Sequence, residues 1–325
     1  MLYKNIIITG GAGFIGYHLA KKLSTKNNKI YILDNLSRGK FDNNLKKLIK
    51  YKNVKFIKTD LRKKIKIKIS EPKYIFHLAG TVGVKNISDS PYKSFINNIT
   101  TLKNVLDFCN KFKKSKIILF STSEVYSPLI KKNKVKFPIK ENNDVILESE
   151  IINRDAYFIS KVFNEKLTQF SKLRHLILRP HNIFGPRMGY SHVIPELTKK
   201  IFMNKDSKSS RTIIFSPNHK RAFCYIDDAV NQIIKLSFKN NIKNTTFNIG
   251  NMSEEIRMFD LAKTLKEKIK SKTKLIKGKI TEGSPKRRVP DMSKTFRTTK
   301  KLKLTKLSEG LDKTVNWYLN DIKSM

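Results

Sequence analysis

A tyrosine and a lysine four residues apart could perform acid–base chemistry. Tyr157 and Lys161 lie in a segment with a helical pattern, residues 155–170, so both side chains are expected on one helical face. A free tyrosine has a pKa of ~10 and is a poor base at neutral pH. A neighbouring ammonium favours the phenolate, which could take a proton from a substrate hydroxyl while hydride leaves the same carbon. The spacing is common, so this interpretation depends on the surrounding elements.

Polar side chains follow an apolar segment just upstream. The run Ser121-Thr122-Ser123-Glu124 comes directly after Lys116–Phe120, which reads as a buried strand. Ligands of parallel α/β sheets bind outside the carboxyl ends of the strands. We therefore expect the Thr122 hydroxyl and the Glu124 carboxyl in that crevice. The candidate catalytic residues are Thr122, Glu124, Tyr157 and Lys161.

A glycine-rich turn near the start indicates a dinucleotide site. Residues 9–16 read Thr-Gly-Gly-Ala-Gly-Phe-Ile-Gly and lie between the first strand and the first helix. Gly10 permits a tight turn, Gly13 lets the backbone approach a pyrophosphate, and Gly16 lets the helix pack on the sheet. Phe14 and Ile15 open the helix, where backbone N–H groups face phosphates.

An acidic residue ends the second predicted strand. Asp34 stands where a carboxylate binds the adenosine ribose and repels a 2′-phosphate, which favours NAD over NADP. Arg38 follows closely and leaves NADP as an alternative. Asp60 and Leu61, after the third strand, are candidates for adenine contact, although an isolated aspartate is more often a helix cap.

Strands and helices alternate through the first half of the chain, which predicts a Rossmann-type, doubly wound parallel sheet. The predicted strands are Asn5–Thr9, Lys29–Asp34, Val54–Thr59, Tyr74–Ala79, Lys116–Ser121 and His175–Arg179. The predicted helices are Phe14–Leu23, Phe41–Ile49, Tyr92–Phe112, Asp155–Phe170 and, farther on, Ile256–Ile269 with Ser253 as a possible cap. The run Lys63–Ile69 fits an edge strand or a short crossover helix.

After Pro180 turn signals cluster and the helical stretches are less regular, which predicts two domains. We expect an NAD-binding domain at 1–180 and a smaller C-terminal substrate-binding lobe at 181–325. Part of the second half, residues 212–250, is expected to return to the first domain, with Thr245–Gly250 as a strand of its sheet.

The net charge is +42, from 68 Lys and Arg against 26 Asp and Glu. Such an excess is found in nucleic-acid binders, but here lysines are spread over the whole length. We interpret them as solvated faces and expect no specific nucleic-acid partner. No apolar run approaches the ~20 residues of a membrane span. Cys109 and Cys224 form no C-x-x-C pair and suit a reducing compartment, so a cytoplasmic protein without a metal site is expected.

The motifs together resemble the extended short-chain dehydrogenase/reductase family, in its nucleotide-sugar epimerase/dehydratase/decarboxylase branch. The resemblance covers nearly the whole chain and follows the family's order and approximate spacing. Its motifs are residues 9–16, Asp34-Asn35-Leu36, His77-Leu78-Ala79, Ser121–Tyr126, Tyr157-x-x-x-Lys161, Leu178–Arg187 and Arg221–Asp228.

The resemblance implies a role for each matching position. Thr122 would bond the reacting O4, Tyr157 would be the base, and Lys161 would hold the nicotinamide ribose. The cofactor contacts that it implies are Gly10, Gly13, Phe14, Ile15, Gly16, Asp34, Asn35, Asp60, Leu61, Ala79, Tyr157 and Lys161. The substrate contacts are Thr122, Ser123, Asn182, His192, Arg221 and Arg288, the two arginines as a diphosphate clamp. For Arg288, membership of a basic surface run is an equally good interpretation.

Oxidation of a nucleotide-diphosphate sugar at C4 would be the shared step. Return of hydride to the other face gives epimerisation, and loss of water across C5–C6, with Glu124 as the C5 base, gives dehydration. We lead with the epimerase/dehydratase interpretation. A UDP-glucuronate decarboxylase-like enzyme is the first alternative, and a non-catalytic basic nucleotide- or RNA-binding protein of the same fold is the second. The resemblance also implies a homodimer.

Overall fold

The computed structural model describes residues 4–300 and 302–324. Its strands are β1 (Lys4–Thr9), β2 (Asn28–Asp34), β3 (Val54–Lys58), β4 (Tyr74–His77), β5 (Lys116–Phe120), β6 (His175–Pro180), β7 (Ile183–Phe184), β8 (Arg211–Ile214), β9 (Lys220–Ala222), β10 (Cys224–Tyr225), β11 (Thr245–Ile249), β12 (Glu255–Arg257), β13 (Lys274–Lys277) and β14 (Arg287–Arg288). Its helices are α1 (Phe14–Ser24), α2 (Asn43–Ile49), α3 (Val84–Asp89), α4 (Pro91–Cys109), α5 (Ser127–Lys131), α6 (Asp155–Phe170), α7 (Val193–Met203), α8 (Ile226–Ser237), α9 (Met258–Ile269), α10 (Ser293–Thr299) and α11 (Leu307–Lys323).

Seven strands form one sheet in the order β11-β6-β5-β4-β1-β2-β3. The strand β1 pairs in parallel with β2 on one side and with β4 on the other. The chain runs outward from β1 to β3 and then returns to β4, so the strand order reverses between β1 and β4. That reversal is the point where doubly wound sheets bind ligands, outside the carboxyl ends of the strands. The predicted Rossmann-type sheet is confirmed.

The middle residues of the central strands are apolar because helices cover both faces of the sheet. Ile6, Ile7 and Ile8 of β1 are all fully buried. Ile7 packs in one cluster with Ile75 of β4 and with Leu102 of α4. The helix α4 therefore covers one face of the sheet, and its position determines the position of the neighbouring helix α6.

The predicted helix Tyr92–Phe112 differs from the structure at both ends. A separate short helix, α3, precedes it, and α4 begins at Pro91, which suits the first helical position because proline has no N–H to leave unpaired. The helix ends at Cys109. Phe112 lies beyond it and packs edge-on against Phe108, so its apolar character comes from core contact and not from helical periodicity.

The predicted helix Ile256–Ile269 begins two residues later, and Ser253 is not its cap. Ile256 lies in β12, which pairs antiparallel with β9, and Arg257 takes the cap position without a side-chain hydrogen bond. The first residues of the amphipathic pattern therefore lie in a strand and not in the helix. The Lys–Ile run 63–69 forms neither a strand nor a helix. It is irregular, with Ile65 buried in the core.

The chain divides into two compact units. The first contains the residues up to Val125, then Val145–Pro180 and Val230–Phe247. The second contains Tyr126–Asp144, His181–Ala229 and the residues from Asn248 onward. The segment Thr245–Ile249 is the edge strand β11 of the large sheet, as the expected return of the chain requires.

One buried asparagine connects distant segments of the second unit. The Asn248 carboxamide oxygen accepts from the Tyr126 hydroxyl at 3.0 Å and lies 3.2 Å from His181 Nε2. Its amide nitrogen donates to the carbonyls of Ile139 and Asp291. Because Asn248 is completely buried, each of these groups would lose one hydrogen bond without gaining water in its place.

Replacing Asn248 with alanine is expected to lower the free energy of unfolding by about 2–4 kcal/mol, since several buried polar groups become unsatisfied. The change Tyr126→Phe removes one hydrogen bond of the same cluster and should cost only ~1 kcal/mol. Urea unfolding of the two variants beside the wild type measures both values. Equal stabilities for Asn248→Ala and the wild type would contradict this account.

Candidate active site

The glycine turn after β1 is shaped by close backbone approach. Gly10 has a φ of +68°, and a Cβ added there would lie 2.8 Å from the backbone nitrogen of Ala79. A Cβ on Gly16 would lie 2.5 Å from the carbonyl oxygen of Gly10. At Gly13 the same oxygen, at 3.1 Å, is the one contact within 4 Å. Protein atoms thus demand glycine at 10 and 16, while the side of Gly13 is open for an approaching phosphate.

Asp34 supports this turn from the end of β2. Its buried carboxylate accepts from the backbone N–H groups of Ala12 at 3.0 Å and Leu36 at 2.8 Å. A carboxylate has about four acceptor sites, so both bonds leave capacity for ribose hydroxyls. The side-chain oxygen of Asn35 accepts from Ser37 and closes the next turn.

The side chains of Asp60 and Leu61 are committed to the protein itself. The Asp60 carboxylate forms a two-bond fork with Arg62, at 2.6 to 3.0 Å, and these hydrogen bonds lower the pKa of Asp60. Leu61 is buried in the core cluster. The sequence did not indicate either arrangement, and any contact of Leu61 with a cofactor would have to come from its backbone.

Tyr157 and Lys161 lie on α6, whose bounds agree with the prediction. The Lys161 ammonium is buried, donates to the Phe120 carbonyl at 2.9 Å, and lies 6.0 Å from the centre of the Tyr157 ring. Burial lowers the pKa of Lys161 to about 8, and the nearby Glu165 carboxylate opposes this shift. The lysine is therefore held inside the protein, at the end of β5, instead of pointing to solvent.

Glu165 holds this helix against the sheet, and the sequence analysis did not single it out. Arg179 of β6 binds Glu165 through a buried fork, with bonds of 2.9 and 2.7 Å. The Ser121 hydroxyl donates to the same carboxylate at 2.5 Å. Glu165 follows Lys161 by four residues, so the helical spacing could have revealed it.

A buried asparagine on α4 supports the neighbouring loop. Asn98 accepts from the Thr81 backbone at 2.6 Å and donates to the Ser160 hydroxyl of α6 at 2.9 Å. Ser160 in turn donates to the Tyr157 carbonyl at 2.7 Å. This network connects the loop after β4 to α6.

His77 ends β4 beside these groups. Its Nδ1 lies 2.9 Å from the Thr9 hydroxyl, and among the described residues no hydrogen-bond partner reaches its Nε2. Burial, and to a smaller extent the nearby Lys161 charge, lower the pKa of His77 to about 3. The ring is neutral at physiological pH, so we interpret it as a strand-end residue.

Thr122, Ser123 and Glu124 follow β5 in a 3₁₀ turn, Ser123–Tyr126. The Glu124 N–H donates to the Thr122 hydroxyl oxygen at 3.2 Å, which leaves the Thr122 proton available to another acceptor. The Glu124 carboxylate forms an ion pair with Arg154 at 3.5 Å. Arg154 precedes α6 and was not among the sequence candidates.

Arg38 carries a further positive charge near Tyr157. Burial lowers the pKa of Arg38, and interaction with the Tyr157 phenol opposes that shift. Guanidinium groups remain charged in proteins. Together with Lys161, Arg38 therefore adds to a positive potential around Tyr157.

The second unit brings Arg221 and Arg288 together. They are direct register partners in the parallel ladder of β9 and β14, so their side chains leave the same face. Both are buried, and Arg221 donates to the Ser284 hydroxyl at 2.9 Å and to the Lys220 carbonyl. Two adjacent buried guanidiniums favour an anionic ligand.

Asn182 and His192 belong to the same unit. The Asn182 amide donates to the Ala222 carbonyl at 3.0 Å, and its φ of +39° places it in a tight turn after β6. His192 takes the cap position of α7, with its N–H bonded to the Gly189 carbonyl. Both are tied to local backbone, and their substrate contacts stay predictions.

In the described part of the chain, no group of three or more His, Cys, Asp or Glu side chains is arranged to hold a metal ion. No described helix combines the length and apolar character that crossing a membrane requires.

Comparison with known proteins places this geometry in a family. The family model for the NAD dependent epimerase/dehydratase family matches residues 6–250. A dTDP-D-glucose 4,6-dehydratase of Dictyostelium discoideum is 35% identical over 82% of this chain, and the match spans 62% of that relative's length, less than two thirds. UDP-glucuronic acid decarboxylase 6 of Arabidopsis thaliana is 30% identical over 94% of this chain and 86% of its own.

A solved structure agrees with this assignment. The UDP-glucose 4-epimerase of Thermotoga maritima, solved with UDP-glucose, superimposes with a TM-score of 0.82 at 26% identity. The superposition covers 98% of this chain and 99% of that chain. The resemblance inferred from the motifs is thereby confirmed, and the chain belongs to the NAD dependent epimerase/dehydratase family of enzymes.

Proposed function

We propose that this enzyme oxidises a nucleotide-diphosphate sugar at C4 to a 4-keto intermediate and completes an epimerisation or a dehydration. The observation that carries the proposal is the buried Lys161 ammonium, fixed at the Phe120 carbonyl one helical turn from Tyr157. Burying a charge this deep in the protein costs stability, so its presence there favours a functional role. Stabilising a phenolate beside it is such a role.

The residues around the glycine turn fit NAD. The open side of Gly13, the N-terminus of α1 and the Asp34 carboxylate match the pyrophosphate and the adenosine ribose. Asp34 would repel a 2′-phosphate, which favours NAD over NADP. The proposed cofactor contacts are Gly10, Gly13, Phe14, Ile15, Gly16, Asp34, Asn35, Asp60, Leu61, Ala79, Tyr157 and Lys161.

The chemistry begins with proton transfer to Tyr157. The phenolate takes the proton of the sugar O4 hydroxyl, while the Thr122 hydroxyl bonds the same oxygen and fixes its orientation. When bound, NAD would supply the hydride acceptor for oxidation at C4 and, in its reduced form, the hydride donor for the return step. Lys161 and Arg38 keep positive charge around the phenol, so Tyr157 is a base at the start and an acid when the alcohol forms again.

The second unit would hold the diphosphate. Arg221 and Arg288 are adjacent on β9 and β14, and paired guanidiniums bind phosphate oxygens through parallel N–H bonds. Ser123, Asn182 and His192 are proposed as further substrate contacts.

The Glu124 carboxylate lies two residues after Thr122 and could take a C5 proton, which is the step that dehydration requires. The decarboxylase-like alternative differs in its substrate, because a 4-keto uronic acid loses carbon dioxide without removal of a C5 proton. The non-catalytic RNA-binding alternative gains support only from the charge of +42. Incubation with UDP-, GDP-, CDP- and dTDP-sugars, with products read by mass and NMR, separates these functions.

The exposed apolar residues of two helices support a homodimer. Tyr92 and Ile96 on α4 and Phe163 and Phe170 on α6 are all exposed, and Phe163 contacts Phe95 of α4 edge-on. Neighbouring exposed aromatic residues of this kind mark protein–protein contacts. We propose that a second copy covers them and that the dimer works in the cytoplasm.

Replacing Tyr157 with phenylalanine should lower kcat by at least about 10²-fold, the lower range for loss of a general base. The phenol oxygen is removed while the ring stays, so NAD affinity is expected within about threefold of wild type. Product assays and NAD titration by fluorescence measure both. Full activity of Tyr157→Phe would exclude the proposed base.

Replacing Lys161 with methionine should stabilise the cofactor-free protein by roughly 2–3 kcal/mol at pH 7, because a buried charge is removed. Burial lowers the pKa of Lys161 to about 8, below its unfolded value of ~10.4. The folded state therefore binds fewer protons between these pH values, and wild-type stability rises with pH there. Urea unfolding at pH 7, 8 and 9 should show the gap narrowing, and a gap independent of pH would refute this explanation.

The double variant Ile96→Glu/Phe163→Glu is expected to be monomeric at concentrations where the wild type is a dimer, because each change places a carboxylate in the apolar surface. Met203→Glu on α7, also at an exposed apolar residue, is the control and should stay dimeric. Sedimentation velocity gives the masses. A wild type that is monomeric throughout would remove this surface as an interface.

A further inference from the structure

A hollow opens on the first unit between β2, the irregular run at residues 67–70 and the end of α4. Its volume is about 610 Å³, and small-molecule sites have volumes of roughly 300–1,000 Å³. Lys29, beside the hollow, is the second residue of β2, and Asp34 is the last. At ~3.3 Å per residue, the two ends of this strand are about 17 Å apart. This β2–α4 hollow is therefore separate from the candidate active site.

The walls of the hollow are aromatic and aliphatic. Tyr31 and Phe108 are buried members of the core cluster. Phe112, Ile67 and Ile69 are half-buried and pack against the same cluster. Because the Lys–Ile run is irregular here, it does not cover these side chains as a packed crossover helix would. Apolar surface of the core is therefore accessible from solvent at this place.

Hydrogen bonds anchor the chain that follows the run. The Glu71 carboxylate accepts from the Lys114 N–H at 2.7 Å, and the Ser115 hydroxyl donates to the Pro72 carbonyl. These bonds connect the end of the run to the chain that follows α4. The hollow is thus preformed, and a ligand would not have to pay for ordering it.

The charge around the hollow has one sign. Lys29, Lys68 and Lys111 line it, and its lining includes no acidic side chain. The Lys29 ammonium lies 5.8 Å from the centre of the Tyr31 ring. The Lys111 ammonium lies 5.7 Å from the centre of the Phe108 ring. Cation–π attraction therefore holds two of the ammonium groups beside the aromatic walls, where they favour an anion.

We propose that the β2–α4 hollow is a second ligand site, which binds a small aromatic anion. The planar rings of the ligand lie against the aromatic walls, and its carboxylate, sulfonate or phosphate group lies among the three ammonium groups. A neutral ring system would gain only the contact with the walls. Binding there does not depend on the proposed function, because no residue of the candidate active site takes part in it.

The test uses two fluorescent probes, the anion 8-anilinonaphthalene-1-sulfonate and its uncharged counterpart N-phenyl-1-naphthylamine. Titration of the full chain should give a Kd of about 10–100 µM for the sulfonate. The triple variant Lys29→Gln/Lys68→Gln/Lys111→Gln should raise that Kd by at least about tenfold, because it removes the three cationic partners. The Kd of the neutral probe should change less than about threefold, which also shows that the variant is folded.

The matched control is Lys208→Gln/Lys243→Gln/Lys272→Gln, which removes the same charge at exposed lysines elsewhere. It should leave the Kd of both probes within about twofold of wild type, since distant exposed charges are screened by salt. Ser70→Trp adds a large ring at an exposed position in the lining and should weaken the binding of both probes. Saturating NAD should leave the bound sulfonate in place.

Four results would overturn the inference: no binding of the sulfonate to the wild type, equal weakening by the two triple variants, displacement of the sulfonate by NAD, or unchanged binding in Ser70→Trp. All of these measurements record binding and not turnover. The proposed function therefore stands or falls separately, in the assays with nucleotide sugars.

Discussion

The burial of one ammonium group is the constraint on which the other features of the first unit depend. Lys161 is enclosed by the end of β5, by its own helix and by the loop after β4. Among the described residues, the Phe120 carbonyl and the nearby Glu165 carboxylate compensate its charge. Charged groups are rarely buried without such partners. The Glu165–Arg179 fork supplies the compensating carboxylate and anchors it on β6.

The helix α6 shows how one element meets this constraint. The residues Tyr157, Ser160, Lys161, Asn164 and Glu165 recur at helical spacing, and together they form a polar stripe that faces into the protein. A helix designed for stability alone would bury apolar side chains along that face. The polar stripe therefore lowers the hydrophobic stabilisation of this helix but positions the phenol and the ammonium precisely. Such a loss of stability is common at active sites.

Features that depend on local spacing could be predicted from the sequence, and features that depend on long-range side-chain pairing could not. The glycine turn, the strand ends and the Tyr157–Lys161 spacing are local, because periodicity and steric demands fix them. The Glu124–Arg154 pair joins residues 30 positions apart in the chain, and the Arg179–Glu165 fork joins a strand to a helix. The predicted start of α9 was wrong because Ile256 pairs with β9 in a strand, and this pairing overrides the amphipathic pattern there.

The two cysteines lie one in each unit, and both are buried: Cys109 on α4 and Cys224 on β10. Burial raises the pKa of the Cys109 thiol to about 12, and it raises that of Cys224 as well. Neither thiol can react until its surroundings open. The natural sequence thus contains an internal reporter for each half of the molecule, and the rates at which a thiol reagent modifies the two sites reveal whether the halves open as one cooperative body or separately.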